Sequence, residues 1–542
     1  MNQASEEPTA DKTEARPPEP FPLEELLASP DLNITTGTLP PATVSNPGPG
    51  EDFRPRIVGT GGLLLVAGLL GFLFDTCCGT RPIGIGFPIY IALYLGGMLV
   101  IGHRERVAFR KETFALLLPP ILFFATMVAV RANGFLIFWN FVATVVLSLL
   151  LQYYAVAGDF TRIGFAGFLG DPWKVFGHAM HRAAPVVADA SRTATENAEA
   201  RRRAMPVVRG LLLALPILCV FVALLAAADE LFGRIVGDLF ARILPEDWVD
   251  RLPHLLLSVL AAWLTAGGIA YALTRRESNR ASTVGAGVRI GFTETMIVLG
   301  SVAVVFGAFV ALQSSYFFGG IDFARSIGLN YATYARRGFW ELVTVAVLTL
   351  TLIHCFRRTG TRDGVRQESA FIGVGTLLVG FTLVLLSSAM QRMHAYEAAW
   401  GATPLRLIVD GFIIWLGIAL LWFVVTLRKW SERFVFGVLA CGVGYLVTLN
   451  LINPDEYVME RNLAQYARTK TLCRETLFKL SADAVPTMVD AYDKLPPGRE
   501  RNDLADVLRY HRDLLAGKER PRPDYHFAEA EASRALERWH GR

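Results

Sequence analysis

The chain has 542 residues, of which 52% are hydrophobic and only 19% charged, with a formal net charge of +4. Ordinary soluble domains carry about 25% charged residues, so this balance excludes a purely soluble chain, and so mild a positive charge makes no case for nucleic acid. Mean hydropathy is +0.37, and the apolar residues arrive in long runs rather than spread along the chain.

The first 50 residues hold ten of the chain's 28 prolines and no signal-peptide pattern, so 1–55 reads as a disordered Pro-rich tail. Within it, Phe21-Pro-Leu-Glu-Glu-Leu-Leu27 has the apolar spacing of a nascent helix. Eleven apolar runs follow, at 57–74, 84–101, 113–130, 135–155, 207–228, 253–273, 292–312, 338–356, 370–390, 406–427 and 434–451. In lipid only a helix or a closed barrel satisfies its own backbone, and runs of about 20 apolar residues span as helices. Pro119-Pro120 interrupts the third run. The fold expected is all-α: a polytopic helical integral membrane protein with about eleven transmembrane helices and a small helical C-terminal domain. Its parts are transmembrane helices 1–4 in 56–155, an amphipathic and basic cytoplasmic loop in 156–206, helices 5–11 in 207–453, and the helical domain in 454–542.

Alternate loops are rich in cations. Arg104, Arg106, Arg110 and Lys111 follow the second span, and Arg162, Lys174, Arg182, Arg192 and Arg201-Arg202-Arg203 follow the fourth. Arg275, Arg276, Arg280 and Arg289 follow the sixth; Arg357, Arg358, Arg362 and Arg366 the eighth; Arg428, Lys429 and Arg433 the tenth. Cationic loops stay in the cytoplasm. The expected N-terminus is therefore cytoplasmic, and eleven crossings place 454–542 outside a bacterial inner membrane.

In the 156–206 loop, Phe160, Ile163, Phe165, Phe168, Trp173 and Phe176 suit a helix in the headgroup region. Arg201, Arg202 and Arg203 read either as a plain stop signal or as a site for anionic lipid. In the C-terminal region Ser481 is placed to cap a helix with Val485, Met488, Val489 and Ala491 inward. Pro496-Pro497-Gly498 then breaks the chain before a stripe of Leu504, Val507, Leu508, Leu514 and Leu515.

Signatures of catalysis are absent: no phosphate loop, zinc-protease helix, nucleophile elbow or calcium loop. The six cysteines form no CxxC pair. His178 and His181 stand three apart near Asp171, but a third metal ligand is not evident. No cofactor or metal is expected. Acids at the span ends matter more, because a carboxylate in lipid is costly. They are Asp229, Glu230, Glu294, Glu341 and Asp410. Each is either paired locally, as Arg406 four residues before Asp410 suggests, or part of a ligand or ion site.

Gln313-Ser-Ser-Tyr316-Phe-Phe-Gly319-Gly320 followed by Tyr331-Ala-Thr-Tyr334-Ala-Arg336-Arg337-Gly338-Phe339-Trp-Glu341-Leu342 resembles the signature of bacterial membrane proteins grouped as domain of unknown function 4153, also numbered 4173. Further resemblances run through Ala228-Asp229-Glu230-Leu231-Phe232, Arg392-Met393 to Tyr396, Gly401-Ala-Thr403-Pro-Leu-Arg406, Asn453-Pro454-Asp455 to Arg461-Asn462, and Leu480-Ser-Ala-Asp483-Ala-Val-Pro486. Glu230 departs from the proline the pattern has after Asp229. The resemblance implies a polytopic bacterial inner-membrane protein and no particular activity.

The loop-charge topology puts these segments on the outer side. It gathers Asp229, Tyr331, Tyr334, Arg336, Arg337, Glu341, Arg392, Tyr396, Arg406, Asp410, Asp455 and Arg461 there. This cluster reads either as a cleft for an anionic or glycan-like ligand or as a clamp tying down the C-terminal domain. Saturated arginines would favour the clamp, open ones the cleft. Three function classes stay open: a structural or sensory membrane protein, a transporter of a small or anionic solute, and an outer-leaflet envelope enzyme.

Overall fold

The computed structural model describes residues 60–78, 83–194, 246–274, 290–326, 339–470, 472–516 and 524–539, with isolated positions between 218 and 235. The Pro-rich tail, Arg201–Arg203 and most of the expected fifth span lie outside these. The bundle helices are α1 (Thr60–Cys78), α2 (Gly86–Arg104), α3 (Lys111–Val130), α4 (Gly134–Tyr154), α5 (Phe165–Ala194), α6 (Glu246–Thr274), α7 (Phe292–Ser326), α8 (Phe339–Thr359), α9 (Val365–Trp400), α10 (Pro404–Arg428) and α11 (Phe434–Ile452). Ten of the eleven expected spans coincide with one of them. Among the described residues nine helices are long and apolar enough to cross a membrane, and α1 is a shorter apolar helix. The chain is an all-α polytopic membrane protein.

The apolar residues face both ways, as lipid requires. Ile121, Phe124, Leu150 and Phe423 are buried between helices, while Phe72, Val304, Leu348 and Leu421 are exposed on the bundle surface. α3 runs unbroken through Pro119 and Pro120. Each proline removes one backbone bond, but within a bilayer an uncoiled segment would leave many more polar groups unsatisfied. Ile121 and Phe124, just beyond the prolines, are fully buried and anchor the helix to its neighbours.

α5 lies against α6. The Trp263 indole donates to the Met180 carbonyl at 3.1 Å, and His178 stacks on Tyr271 with ring centroids 5.0 Å apart. The two backbones touch at Gly267, where a Cβ would sit 1.8 Å from the Ala179 carbonyl oxygen. Phe165, Leu169, Trp173 and Phe176 of α5 are exposed. Asp171 is buried, accepting from the Tyr154 hydroxyl at 2.8 Å and from Lys174 at 2.7 Å. It is therefore held as a structural acceptor, and no three metal-ligating side chains converge among the described residues.

Five further helices follow: α12 (Pro454–Thr469), α13 (Arg474–Phe478), α14 (Val485–Lys494), α15 (Arg499–Ala516) and α16 (Phe527–Arg538). They enclose a separate apolar core of Val458, Met459, Leu477, Met488, Leu504, Val507, Leu508 and Trp539, which Ala402 from the α9–α10 turn also enters. Ser481 caps a single 3-10 turn at Ala482–Ala484 that leads into α14. Leu514 is exposed, outside that core.

The helical domain sits at one end of the bundle, where α1, α3 and α9 finish. There the Ile85 amide donates to the Tyr525 carbonyl at 3.0 Å. The opposite end carries the arginine-rich turns: Arg362 pairs with Glu368 at 2.9 Å, and Arg162 with Glu432 at 3.4 Å.

Candidate functional site

The three-residue turn 131–133 between α3 and α4 is the centre of the domain contact. Asn133 precedes an apolar helix, the usual position of an N-cap, and its Oδ1 accepts from the amides of Phe135 and Leu136 at 3.0 and 3.2 Å. Its Nδ2 donates to Asp455 Oδ2 at 3.0 Å. Asp483 Oδ2 accepts from the consecutive amides of Ala132 and Asn133 at 2.7 and 2.9 Å and from the Ser481 hydroxyl at 3.0 Å. Arg131 donates twice to the Asn450 carbonyl, at 2.6 and 3.0 Å, and lies 3.8 Å from Asp483 Oδ1.

Both carboxylates are buried, at 0% exposure for Asp455 and 7% for Asp483. Burial pushes the Asp483 carboxyl up to about 6, against the pull of the Ser481 hydroxyl, Arg131 and the Ala132 amide, with the Asp455 charge adding to the rise. His511 is buried behind them. Burial lowers its imidazole and the Asp455 charge opposes that, while neither ring nitrogen has a hydrogen-bond partner. Just inside the bundle, Asn140 of α4 and Asn450 of α11 exchange amide hydrogen bonds of 2.9 and 2.8 Å, both fully buried.

A cavity of about 150 Å³ opens beside this contact, between α9, α10 and α12. His394, Glu397, Thr403, Arg406, Asp410, Tyr457 and Arg461 line it. Its roof is the α9–α10 turn, where Gly401 adopts φ +82°. Asn462 of α12 holds that turn by accepting from the Ala402 amide and donating to its carbonyl, both at 3.0 Å. Arg461 forms an ion pair with Glu397 and reaches the Tyr457 hydroxyl at 3.4 Å. The hydrogen bond to Glu397 holds the Arg461 guanidinium above its ordinary value. Arg406 donates to the Gly401 carbonyl. Asp410 lies 9% exposed, and its Oδ1 has no partner. A larger cavity of about 190 Å³ lies at the opposite end, beside His354, Arg358 and Glu432. It holds no comparably buried carboxylate.

Of the residues expected to gather, Arg406, Asp410 and Arg461 share the cavity. Asp455 belongs to the domain contact instead. Arg392 is half-buried on α9, and Tyr396 lies on the same helix with its side chain outside the described set. Glu341 is exposed at the start of α8. Asp229 is exposed and accepts from the Phe232 amide at 2.7 Å, capping a short helical turn. Tyr331, Tyr334, Arg336 and Arg337 lie outside the described residues. Sequence reasoning passed over Arg131, Asn133, Glu397 and Asp483 as site residues. Of these only Asn133, an N-cap before an apolar run, carries a local signal that marks its role.

A family model described as "Domain of unknown function (DUF4153)" matches residues 118–491, more than half of the chain. No curated protein and no solved structure matches.

Proposed function

Since the chain belongs to the DUF4153 family, which carries no assigned activity, we propose a function from the geometry: a structural or sensory protein of the bacterial inner membrane. In this reading its helical C-terminal domain is latched to the outer face of the transmembrane bundle. The observation that carries it is Asp483, a carboxylate of the domain spent on two consecutive amides of the α3–α4 turn. The neighbouring cations are spent in the same way, Arg461 on Glu397 and Arg131 on the Asn450 carbonyl. A side chain that closes a domain contact is not available for turnover chemistry.

The orientation rests on the loop arginines, which favour a cytoplasmic N-terminus and an outside domain. Arg201, Arg202 and Arg203 then lie on the cytoplasmic side, where anionic headgroups are the natural partner. A second reading, a transporter of a small solute, draws its support from the cavity beside Asp410.

The test pairs two measurements on cells. A reporter active only outside the cytoplasmic membrane is fused after Arg542. A short bifunctional thiol cross-linker is applied to a variant carrying Ala132→Cys and Ser481→Cys. External activity with efficient cross-linking supports the latched outer domain. Cytoplasmic activity overturns the orientation, and cross-linking no better than an exposed control pair overturns the latch.

A further inference from the structure

The cavity between α9, α10 and α12 has unequal needs. Its arginines are satisfied, Arg461 by Glu397 and Arg406 by the Gly401 carbonyl, and His394 is exposed on α9 at the cavity's rim. Its unmet group is an acceptor, Asp410 Oδ1, on a side chain more than nine-tenths buried. A buried acceptor without a donor is costly, and a carboxylate more so than a neutral group. Thr403 adds a second open oxygen. It occupies the N-cap position of α10, yet its hydroxyl makes no capping bond and lines the same cavity. An anion entering here would have to break the Arg461–Glu397 pair and then sit beside Asp410, so two terms oppose it.

We propose that this cavity binds the primary ammonium group of a small amine, with Asp410 as the charged acceptor and Thr403 as a neutral one. An ammonium carries three N–H donors and one positive charge, which a carboxylate and a hydroxyl lining one cavity can accept. A hard metal cation needs six or more oxygen ligands, and the described residues bring no three ligating side chains together. The volume of about 150 Å³ admits the amino end of a ligand and its first carbons. Tyr457 and Arg461, both exposed, stand where the rest of such a ligand would leave. The inference rests on Asp410 and not on the latch carboxylates Asp455 and Asp483.

The test uses the full-length chain purified in detergent, with methylammonium chloride as probe. Tetramethylammonium chloride, which has the charge but no N–H donor, and sodium chloride serve as controls at equal ionic strength. Methylammonium is expected to raise the thermal midpoint saturably and to protect Asp410 from esterification by a diazo reagent, with which the amine does not couple, read by peptide mass spectrometry. Asp410→Asn is expected to weaken the response at least about tenfold, and Thr403→Val to weaken it less, the order of a charged and a neutral hydrogen bond. Equal shifts from sodium or tetramethylammonium, an unchanged response in Asp410→Asn, or equal Asp410 labelling with and without methylammonium would overturn the proposal. The labelling arm is read on the unsubstituted protein, so it decides the matter even if the Asn variant is unstable. Protection without external C-terminal activity would leave the amine site standing and remove only the outer-domain reading.

Discussion

Replacing Asp483 separates the two roles of its carboxyl, acceptor and charge. Asp483→Ala strands the amides of Ala132 and Asn133, each costing about 1–3 kcal/mol when buried without a partner. Asp483→Asn keeps an acceptor at the same place. Ala132 and Asn133 are only half-buried, so the Ala variant should dock the domain less tightly than the Asn variant by at most about 2–6 kcal/mol. The charge works in the other direction. A rise from the ordinary 3.8 to about 6 means that burying the ionised form costs about 3 kcal/mol, at about 1.4 kcal/mol per pH unit.

The docked state therefore binds a proton that the undocked state releases between about pH 4 and pH 6. Because the docked form then holds more protons at Asp483, this group's contribution weakens docking as pH rises through that window. Asp483→Asn should remove that slope and match or exceed the wild-type docking strength at neutral pH. Hydrogen exchange at the amides of Ala132 and Asn133, corrected for intrinsic rates, reads the local opening. Equal protection in the Ala and Asn variants would refute the acceptor argument. A fall in docking with rising pH between about 4 and 6 that survives in Asp483→Asn would refute the charge argument.

Two other expectations follow from close packing in the bundle. Gly267→Ala forces a methyl into the Ala179 carbonyl, so it should separate α5 from α6 and cost about 1–3 kcal/mol; loss of a thermal transition in detergent, or of a cross-link between positions 180 and 263, reports it. Asn140→Leu should cost about 1–3 kcal/mol because it leaves the buried Asn450 amide without its partner. Adding Asn450→Leu should then recover part of the loss, since a pair of apolar groups strands neither side chain; a double variant no more stable than the single one would contradict this.

The spans were legible because lipid makes the signal local. Every backbone group of a crossing segment must bond within that segment, so a one-dimensional run of apolar residues is nearly the whole instruction. The alternation of loop arginines is equally local, since each loop is read where it stands. Pro119 and Pro120 misled in degree only: a break in water is a tolerated defect in a helix that has no alternative.

The site was legible in part. Arg406 and Asp410 share one helix; Asp410, a turn inside the span, was marked as unusual and Arg406, at its start, as its local partner. What helical spacing suggested for them, an Arg406–Asp410 pair, competes with a carbonyl that only the α9–α10 turn supplies, and Arg406 donates to Gly401. The pairing of Arg461 with Glu397 links positions 64 residues apart, and that of Asp483 with the 131–133 turn about 350. Nothing in either local stretch names its partner.

The sequence by itself determined the membrane class and the course of most spans, because hydropathy acts on each segment alone. Only the tertiary structure decided that Asp455 and Asp483 accept donors across the domain contact while Asp410 faces the cavity. That distinction depends on which donors arrive from other helices, and a carboxylate's own neighbours in sequence do not report it.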